Sequence, residues 1–145
     1  MFVGQFRHAM DAKNRVTIPA IWRRGDIEEF FSIANVKDGF LMVLPRGAMR
    51  KVVAKVESNS GLNPLAGKQF IRQFNSRAQR LVIDKAGRML IPAEQCSRLQ
   101  LCGEVVLVGN GQRIEVWNPE KWAEWEKASE EGGPTFDEVC DSLGI

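Results

Sequence analysis

The feature that most constrains this chain is an internal repeat. A shift of 73 residues superposes residues 7–20 on residues 80–93, and six of the 14 aligned pairs are identical. Without a gap, the same shift also places residues 41–45 on residues 114–118. A register held over this distance is typical of one structural unit that occurs twice. The sequence therefore predicts a tandem duplication.

Each copy begins with a predicted hairpin. In the second copy, two apolar runs flank a turn at residues 84–87, and Asn14 of the first copy occupies the position of Gly87. Asn and Gly are the residues that most readily accept a positive φ, so we expect the same turn in both copies. Pro19 and Pro92 then end the second strand of each hairpin and suit the first turn of a short helix.

Two further strands and a helix complete each copy. Turn residues separate the predicted strands 30–36 and 40–44 in the first copy, and 105–108 and 113–117 in the second. The Asn118-Pro119 pair has the residues of a helix N-terminus. Asn63-Pro64 and the box formed by Thr135 and Glu138 predict two more helix starts.

These elements predict a mainly β fold with short helices, of the α+β class. A unit of roughly 45 residues is close to the lower size limit for a stable core, so we expect the two copies to complete each other as an intramolecular pseudo-dimer. The predicted organisation is a first domain at residues 5–50, a helical connector at 51–77, a second domain at 78–123 and an acidic helical tail at 124–145.

The charge is distributed unevenly. The 145 residues carry a net charge of +2, which argues against polyanion binding by bulk charge. Residues 120–145 hold two lysines and eight acidic residues, a net of −6, so residues 1–119 carry +8. A basic body suggests contact with a polyanion, and two merely solvated surfaces explain the count equally well.

Two acid–base pairs repeat in both type and spacing, Asp11 with Arg15 and Asp84 with Arg88. Across a tight hairpin, a carboxylate can orient a guanidinium group through hydrogen bonds. An oriented arginine matches O6 and N7 of guanine in the major groove. The alternative is an ion pair that only closes the turn, and the spacing leaves both interpretations open.

Other basic residues flank the repeated pairs. They are candidate phosphate contacts, which position a protein on DNA without reading its sequence. These candidates are Lys13, Lys85, Arg23, Arg24, Arg7 and Arg80. Each is also compatible with a solvated surface position.

The residues needed for catalysis are scarce. His8 is the only histidine, Leu81 replaces it in the second copy, and the chain has no tyrosine. The sequence contains no C-x-x-C, no glycine-rich phosphate loop and no H-E-x-x-H. We therefore expect a protein that is not an enzyme and that has no metal, other cofactor or small-molecule substrate.

The cellular location is predicted from what the sequence lacks. Three cysteines without a pairing pattern favour a reducing compartment. Residues 1–5 have no basic-then-apolar export signal, and the apolar runs are too short to span a membrane. We expect a cytoplasmic protein with no membrane partner.

The start Met1-Phe2-x-Gly4 and two Asp-x-x-x-Arg hairpins, each followed by Ile-Pro, resemble the MraZ family over nearly the whole chain. The resemblance implies tandem SpoVT-AbrB domains, built as swapped-hairpin β-barrel units, and closed homo-oligomeric rings. It also implies a nucleoid-located transcriptional regulator, a repressor of its own division and cell-wall gene cluster. The partner would be double-stranded DNA with repeated, G-containing promoter boxes.

By this resemblance, Arg15 and Arg88 would be the base-reading residues, with Asp11 and Asp84 as the partners that orient them. Lys13 matches the commoner Asp-x-Lys-Gly-Arg form of the motif. The chain departs from that form at Asn14 and at Lys85-Ala86, which leaves the turn type open. The alternative function is an AbrB-like antitoxin or protein-interaction module.

Overall fold

The computed structural model describes residues 1–24, 29–59 and 61–145. Within these ranges the predicted α+β class is confirmed, with eight strands, five α-helices and one 3₁₀ helix. The first copy contains β1 (Gln5–Ala9), β2 (Arg15–Thr17), the 3₁₀ helix (Ala20–Arg23), β3 (Glu29–Asn35), β4 (Phe40–Pro45) and α1 (Arg46–Glu57). Helix α2 (Pro64–Arg77) follows the first copy. The second copy contains β5 (Gln79–Val82), β6 (Arg88–Leu90), α3 (Ala93–Leu99), β7 (Glu104–Asn110), β8 (Arg113–Trp117) and α4 (Pro119–Glu131). Helix α5 (Phe136–Leu143) comes last.

The strand order shows that the two copies are intertwined. Six strands form one antiparallel sheet in the order β1-β7-β8-β4-β3-β5, and β2 pairs with β6 in a separate ribbon. Since β5 to β8 repeat β1 to β4, this order reads the same from both ends, as a pseudo-two-fold axis between β4 and β8 requires. The expectation of β-barrel units is wrong, because among the described residues the sheet is open and forms no closed barrel.

The predicted hairpins exchange partners between the copies. β1 and β2 follow each other in sequence, yet β1 pairs with β7 and β2 pairs with β6. In the same way, β5 pairs with β3 of the first copy. Each copy thus supplies strands that the other needs, as expected of the pseudo-dimer that the small size of one unit predicts, and the exchange of hairpins agrees with what the resemblance implies.

One strand departs from the ungapped repeat. Glu29–Asn35 matches Glu104–Asn110 at a shift of 75 residues, whereas Phe40 and Arg113, which start the next strands, keep the shift of 73. The turn between β3 and β4 has two more residues than the turn between β7 and β8, and this restores the register. Because side chains alternate along a strand with a period of two, the displacement leaves the same face buried.

The main core lies on the pseudo-two-fold axis. Val16 of β2 pairs with Met89 of β6, and both are fully buried. These two residues correspond at the shift of 73, as do Ile18 and Ile91, which are buried beside them. The ribbon that carries both turns is therefore anchored by apolar side chains from both copies.

The helices begin where the sequence predicts. The side chain of Asn63 accepts a hydrogen bond at the start of α2, that of Asn118 accepts two at the start of α4, and Thr135 and Glu138 form a capping box on α5. Of the helices in the described ranges, none has the length and apolar character needed to cross a membrane.

Candidate nucleic-acid interface

The two turns have the same backbone hydrogen bonds. In the first, Oδ1 of Asp11 accepts the backbone N–H groups of Lys13 and Arg15, each at 2.9 Å. In the second, Oδ1 of Asp84 accepts those of Ala86 and Arg88, again at 2.9 Å. An aspartate that hydrogen-bonds its own backbone two residues ahead defines a turn without help from neighbouring strands.

The left-handed position of each turn is filled as the sequence predicts. Asn14 has a φ of 61° and Gly87 has a φ of 79°. Asn is one of the few residues with a side chain that adopts this conformation readily. The departures from the commoner motif at Asn14 and at Lys85-Ala86 therefore leave the turn unchanged.

Each aspartate also orients the arginine that leaves its turn. The Nε–H of Arg15 donates to Oδ2 of Asp11 at 2.7 Å, and that of Arg88 donates to Oδ2 of Asp84 at 3.0 Å. A guanidinium group has five N–H donors in a planar fork, so the Nε contact leaves four to the remaining nitrogens. The pairs meet as the repeated spacing predicts.

Hydrogen bonding keeps both carboxylates ionised. The backbone N–H of Arg15, followed by its guanidinium group, holds the pKa of Asp11 below the ordinary value. The pKa of Asp84 is lowered in the same way by the backbone N–H and then the side chain of Arg88. Both aspartates are therefore anionic acceptors at neutral pH.

The two turns lie side by side on the pseudo-two-fold axis. The backbone N–H of Ile18 donates to the carbonyl of Gly87, and that of Ile91 donates to the carbonyl of Asn14, both at 2.9 Å. Nη1 of Arg88 also lies 3.9 Å from Oδ2 of Asp11, the oxygen that Arg15 contacts. Both arginines thus belong to one small surface, which we call the paired-arginine surface: Asp11, Arg15, Asp84 and Arg88.

The predicted phosphate contacts fall into two groups. All six residues are exposed, and Lys13, Lys85, Arg23 and Arg24 make up the first group. Arg7 forms an ion pair with Glu104 at 3.0 Å, and Arg80 forms one with Glu29. The guanidinium groups of Arg80 and Arg46 lower the pKa of Glu29, so this carboxylate is charged as well.

Arg23 has a setting that sequence reasoning missed. Its Nε–H donates to the carbonyl of Ile18 at 2.9 Å, and its guanidinium group lies against Gly87 in the second turn. The signal was a pair of differences between the copies, since Asn14 corresponds to Gly87 and Cys96 corresponds to Arg23. The larger residue of one pair, Arg23, thus accompanies the residue without a side chain in the other pair, Gly87.

The fold and this surface define a protein of two intertwined hairpin units that presents a pair of aspartate-oriented arginines. Comparison with known proteins gives the family. The model of a family described as "MraZ protein, putative antitoxin-like" matches residues 74–136.

Full-length relatives agree with this match. A protein of Clostridium acetobutylicum named "Transcriptional regulator MraZ" is 34% identical over 145 residues and covers all of both chains. Proteins with the same name from Symbiobacterium thermophilum and Heliobacterium modesticaldum are 36% and 34% identical over 143 residues, which are 99% of this chain and 100% and 96% of theirs. The chain belongs to the MraZ family.

Proposed function

We propose that this protein is a transcriptional regulator that binds double-stranded DNA in a sequence-specific manner through the paired-arginine surface. The observation that carries the proposal is that Arg15 and Arg88 are each oriented by an aspartate and lie beside the same carboxylate oxygen. An ion pair that only closed a turn would not need a second arginine at the same place. The names of the full-length relatives support the regulatory role.

The arginines are the proposed base-reading residues. Guanine presents two acceptors in the major groove, O6 and N7, that fit the guanidinium fork, and one such contact gives about 1–3 kcal/mol of discrimination. Arg15 Nε and Arg88 Nη1 lie 2.7 and 3.9 Å from one oxygen. They are roughly 7 Å apart at most, which is two base-pair steps of B-DNA. We infer that one chain reads neighbouring guanines within a single box.

The flanking cations hold the protein on the DNA backbone in this proposal. Exposed Lys13, Lys85 and Arg24 contact phosphates together with Arg23, and Arg7 and Arg80 contribute charge at the edges. These contacts add affinity that depends on salt and carries no sequence information. Asp11 and Asp84 stay away from phosphates because they are occupied by the arginines they orient.

Self-association supplies the remaining affinity. One or two arginine contacts are weak alone, whereas several chains on successive boxes gain affinity through effective concentration. The exposed apolar side chains of α5 support an assembled state, since Phe136 and Leu143 are 82% and 67% exposed. We infer a closed homo-oligomeric ring that represses its own division and cell-wall gene cluster, in the cytoplasm on the nucleoid.

Binding to the promoter region of the protein's own gene tests the proposal. Arg15→Ala and Arg88→Ala should each weaken binding by about 1–3 kcal/mol, and Arg15→Lys should lose most of the specificity because a lysine cannot form the two-pronged contact. Arg50→Ala, which removes an exposed cation of α1, is the matched control and should bind normally. Normal binding by Arg15→Ala and Arg88→Ala at physiological salt would exclude the paired-arginine surface.

The salt dependence of DNA binding and the mass of the assembly in solution complete the test. Affinity should fall steeply with salt, and Lys13→Ala should reduce the slope of log K against log salt by roughly one. Mass measurement in solution, with and without the promoter fragment, gives the number of chains in the assembly. Association that is insensitive to salt would favour the second candidate, an antitoxin-like or protein-interaction module, to which the apolar face of α5 is also suited.

A further inference from the structure

The two copies share the hydrogen bonds of their turns but differ at one position of the repeat. Arg23 lies behind the second turn, where its Nε–H donates to the carbonyl of Ile18 at 2.9 Å. The equivalent residue of the second copy is Cys96, whose Sγ lies 3.8 Å from the carbonyl oxygen of Ile91. These are equivalent contacts, because both residue pairs correspond at the shift of 73. The guanidinium group at the second turn thus has a thiol as its counterpart in the repeat.

The guanidinium group occupies the space that a side chain at Gly87 would need. A Cβ atom at Gly87 would lie 2.5 Å from Cζ and 2.7 Å from Nη1 of Arg23. A positive φ alone does not demand glycine here, since Asn14 has a φ of 61° at the equivalent position. A side chain at Gly87 would therefore displace the guanidinium group of Arg23 from this position.

Arg23 is also connected to the second turn through hydrogen bonds. It donates to the carbonyl of Ile18, and the backbone N–H of Ile18 donates to the carbonyl of Gly87 at 2.9 Å. Gly87 in turn donates to the carbonyl of Asp84 at 2.9 Å and directly precedes Arg88. A planar group that lies against Gly87 and is hydrogen-bonded to the residue paired with it can restrict the movement of this turn.

We propose that Arg23 is a positioning residue for Arg88, so that the chain presents two unequal hairpins to DNA, the second held more rigidly than the first. The consequence for DNA reading rests on the proposed function, whereas the restriction of the turn does not. Arg23 acts through the shape of its guanidinium group on Gly87. A lysine keeps the charge but lacks this shape and should not replace it.

Hydrogen exchange of the full-length protein without DNA tests the restriction. In Arg23→Ala and in Arg23→Lys, amides of residues 84–88 should exchange roughly tenfold faster, while those of residues 11–15 should not change. Arg24→Ala removes the adjacent exposed cation and is the matched control, with both turns unchanged. Unchanged exchange at residues 84–88 in the Arg23 variants would overturn the proposal.

A double-mutant cycle, with binding to promoter DNA measured at low salt, tests the effect of Arg23 on base recognition by Arg88. Arg23→Ala should weaken binding roughly tenfold more when added to Arg15→Ala, where only the second hairpin reads, than when added to Arg88→Ala, where only its phosphate contact is lost. Equal losses in both backgrounds would mean that Arg23 is only a phosphate contact, and positioning would be wrong. If the unmodified protein fails to bind this DNA, the proposed function fails, and the exchange measurement still decides the role of Arg23.

Gly87→Asn provides a second route to the same answer. Asparagine accepts the positive φ, as Asn14 does, but its Cβ displaces the guanidinium group. This variant should reproduce the exchange and binding of Arg23→Ala, and combining the two should add little. Normal exchange at residues 84–88 in Gly87→Asn would show that the contact with Arg23 does not restrain the turn.

Discussion

The two copies cover the outer face of the sheet in different ways. In the first copy, α1 and α2 form an apolar cluster with β3 and β4, in which Phe74 of α2 is buried beside Ile33, Leu44 and Ala48. The second copy has a tryptophan cluster instead, built from Phe40, Val106, Trp117 and Trp122, with Trp125 stacked on Trp122 at 5.0 Å. The corresponding strands are thus packed by a helix pair in one copy and by indole rings in the other.

The repeat explains this exchange. Leu44, Met49 and Val52 of the first copy correspond to Trp117, Trp122 and Trp125 of the second. α5, which follows α4 as α2 follows α1, has no buried residue. Three larger side chains therefore supply volume where the second helix does not contribute, which teaches that a duplicated unit can keep its strands while replacing its outer layer.

The largest effect is expected from breaking the tryptophan cluster. Trp122 is 7% exposed, so Trp122→Ala should lower the free energy of unfolding by about 3–5 kcal/mol through lost burial and a cavity. The matched Met49→Ala in the first copy should cost about 1–2 kcal/mol, because Met49 is only partly buried. Urea unfolding followed by circular dichroism measures both. Equal losses of unfolding free energy in the two variants would contradict the idea that the volume of the indole rings replaces a second helix.

A smaller effect should follow from a buried polar pair that joins the two copies and has no counterpart at the symmetry-related positions. Ser32 Oγ donates to Gln95 Oε1 at 2.6 Å, whereas the equivalent positions are occupied by Leu107 and Trp22. Ser32→Ala leaves a buried acceptor without its donor and should cost about 1–3 kcal/mol. Adding Gln95→Leu removes the unpaired oxygen but also the bond from Nε2 of Gln95 to the backbone carbonyl of Ser32 at 3.1 Å, so it should recover only part of that loss in the same unfolding measurement. A further loss would show that the backbone contact is the more important of the two.

The indole N–H groups allow a finer comparison within the tryptophan cluster. Nε1 of Trp122 is buried and has no hydrogen-bond partner in the described part of the chain, whereas Nε1 of Trp117 donates to Glu115 at 3.0 Å. Trp122→Phe should therefore cost only the burial of the lost ring atoms, about 1–2 kcal/mol, because no hydrogen bond is broken. Trp117→Phe should cost more, since Glu115 is buried and loses a donor. If Trp122→Phe instead lowered the melting temperature more than Trp117→Phe, the indole N–H of Trp122 would have a hydrogen-bond partner.

The smallest difference between the copies is expected in how stability falls at acidic pH. The pKa values of Asp11 and Asp84 are both lowered in the folded chain, each first by a backbone N–H group. A lowered pKa gives stability that is present above the unfolded value of about 3.9 and is lost as the pH falls through the folded pKa. Melting temperatures between pH 6 and 3 should fall less steeply in Asp11→Asn and Asp84→Asn, and by similar amounts. A change in only one variant would show that the turns are electrostatically unequal.

Much of the fold followed from the sequence because its signals are local. The Asp-to-Arg spacing, the positive φ at Asn14 and Gly87, and the caps of three helices each depend on a few adjacent residues, and all were confirmed. The repeat itself indicated that the copies would support each other. The orientation of Arg15 and Arg88 could be predicted for the same reason.

Other features depend on contacts that no local pattern encodes. The ungapped shift failed at β3, because two extra residues in a turn preserve the faces of a strand and leave little trace in the apolar pattern. The contact of Arg23 with Gly87 joins residues 64 positions apart in different copies. Only a comparison of two pairs of equivalent positions in the repeat, Asn14 with Gly87 and Cys96 with Arg23, would have indicated this contact.

The intertwined strand order also governs how the chain is completed during synthesis. β1 emerges first, yet its partner β7 follows about a hundred residues later, with Phe6 opposite Leu107. β2 likewise waits for β6 before the ribbon beneath both turns can close. Pairing over such separations is slow to form, and it leaves early strand edges open to other chains. The ribosome must therefore release most of the second copy before the first can acquire its native surface, so a prematurely ended chain has no functional half.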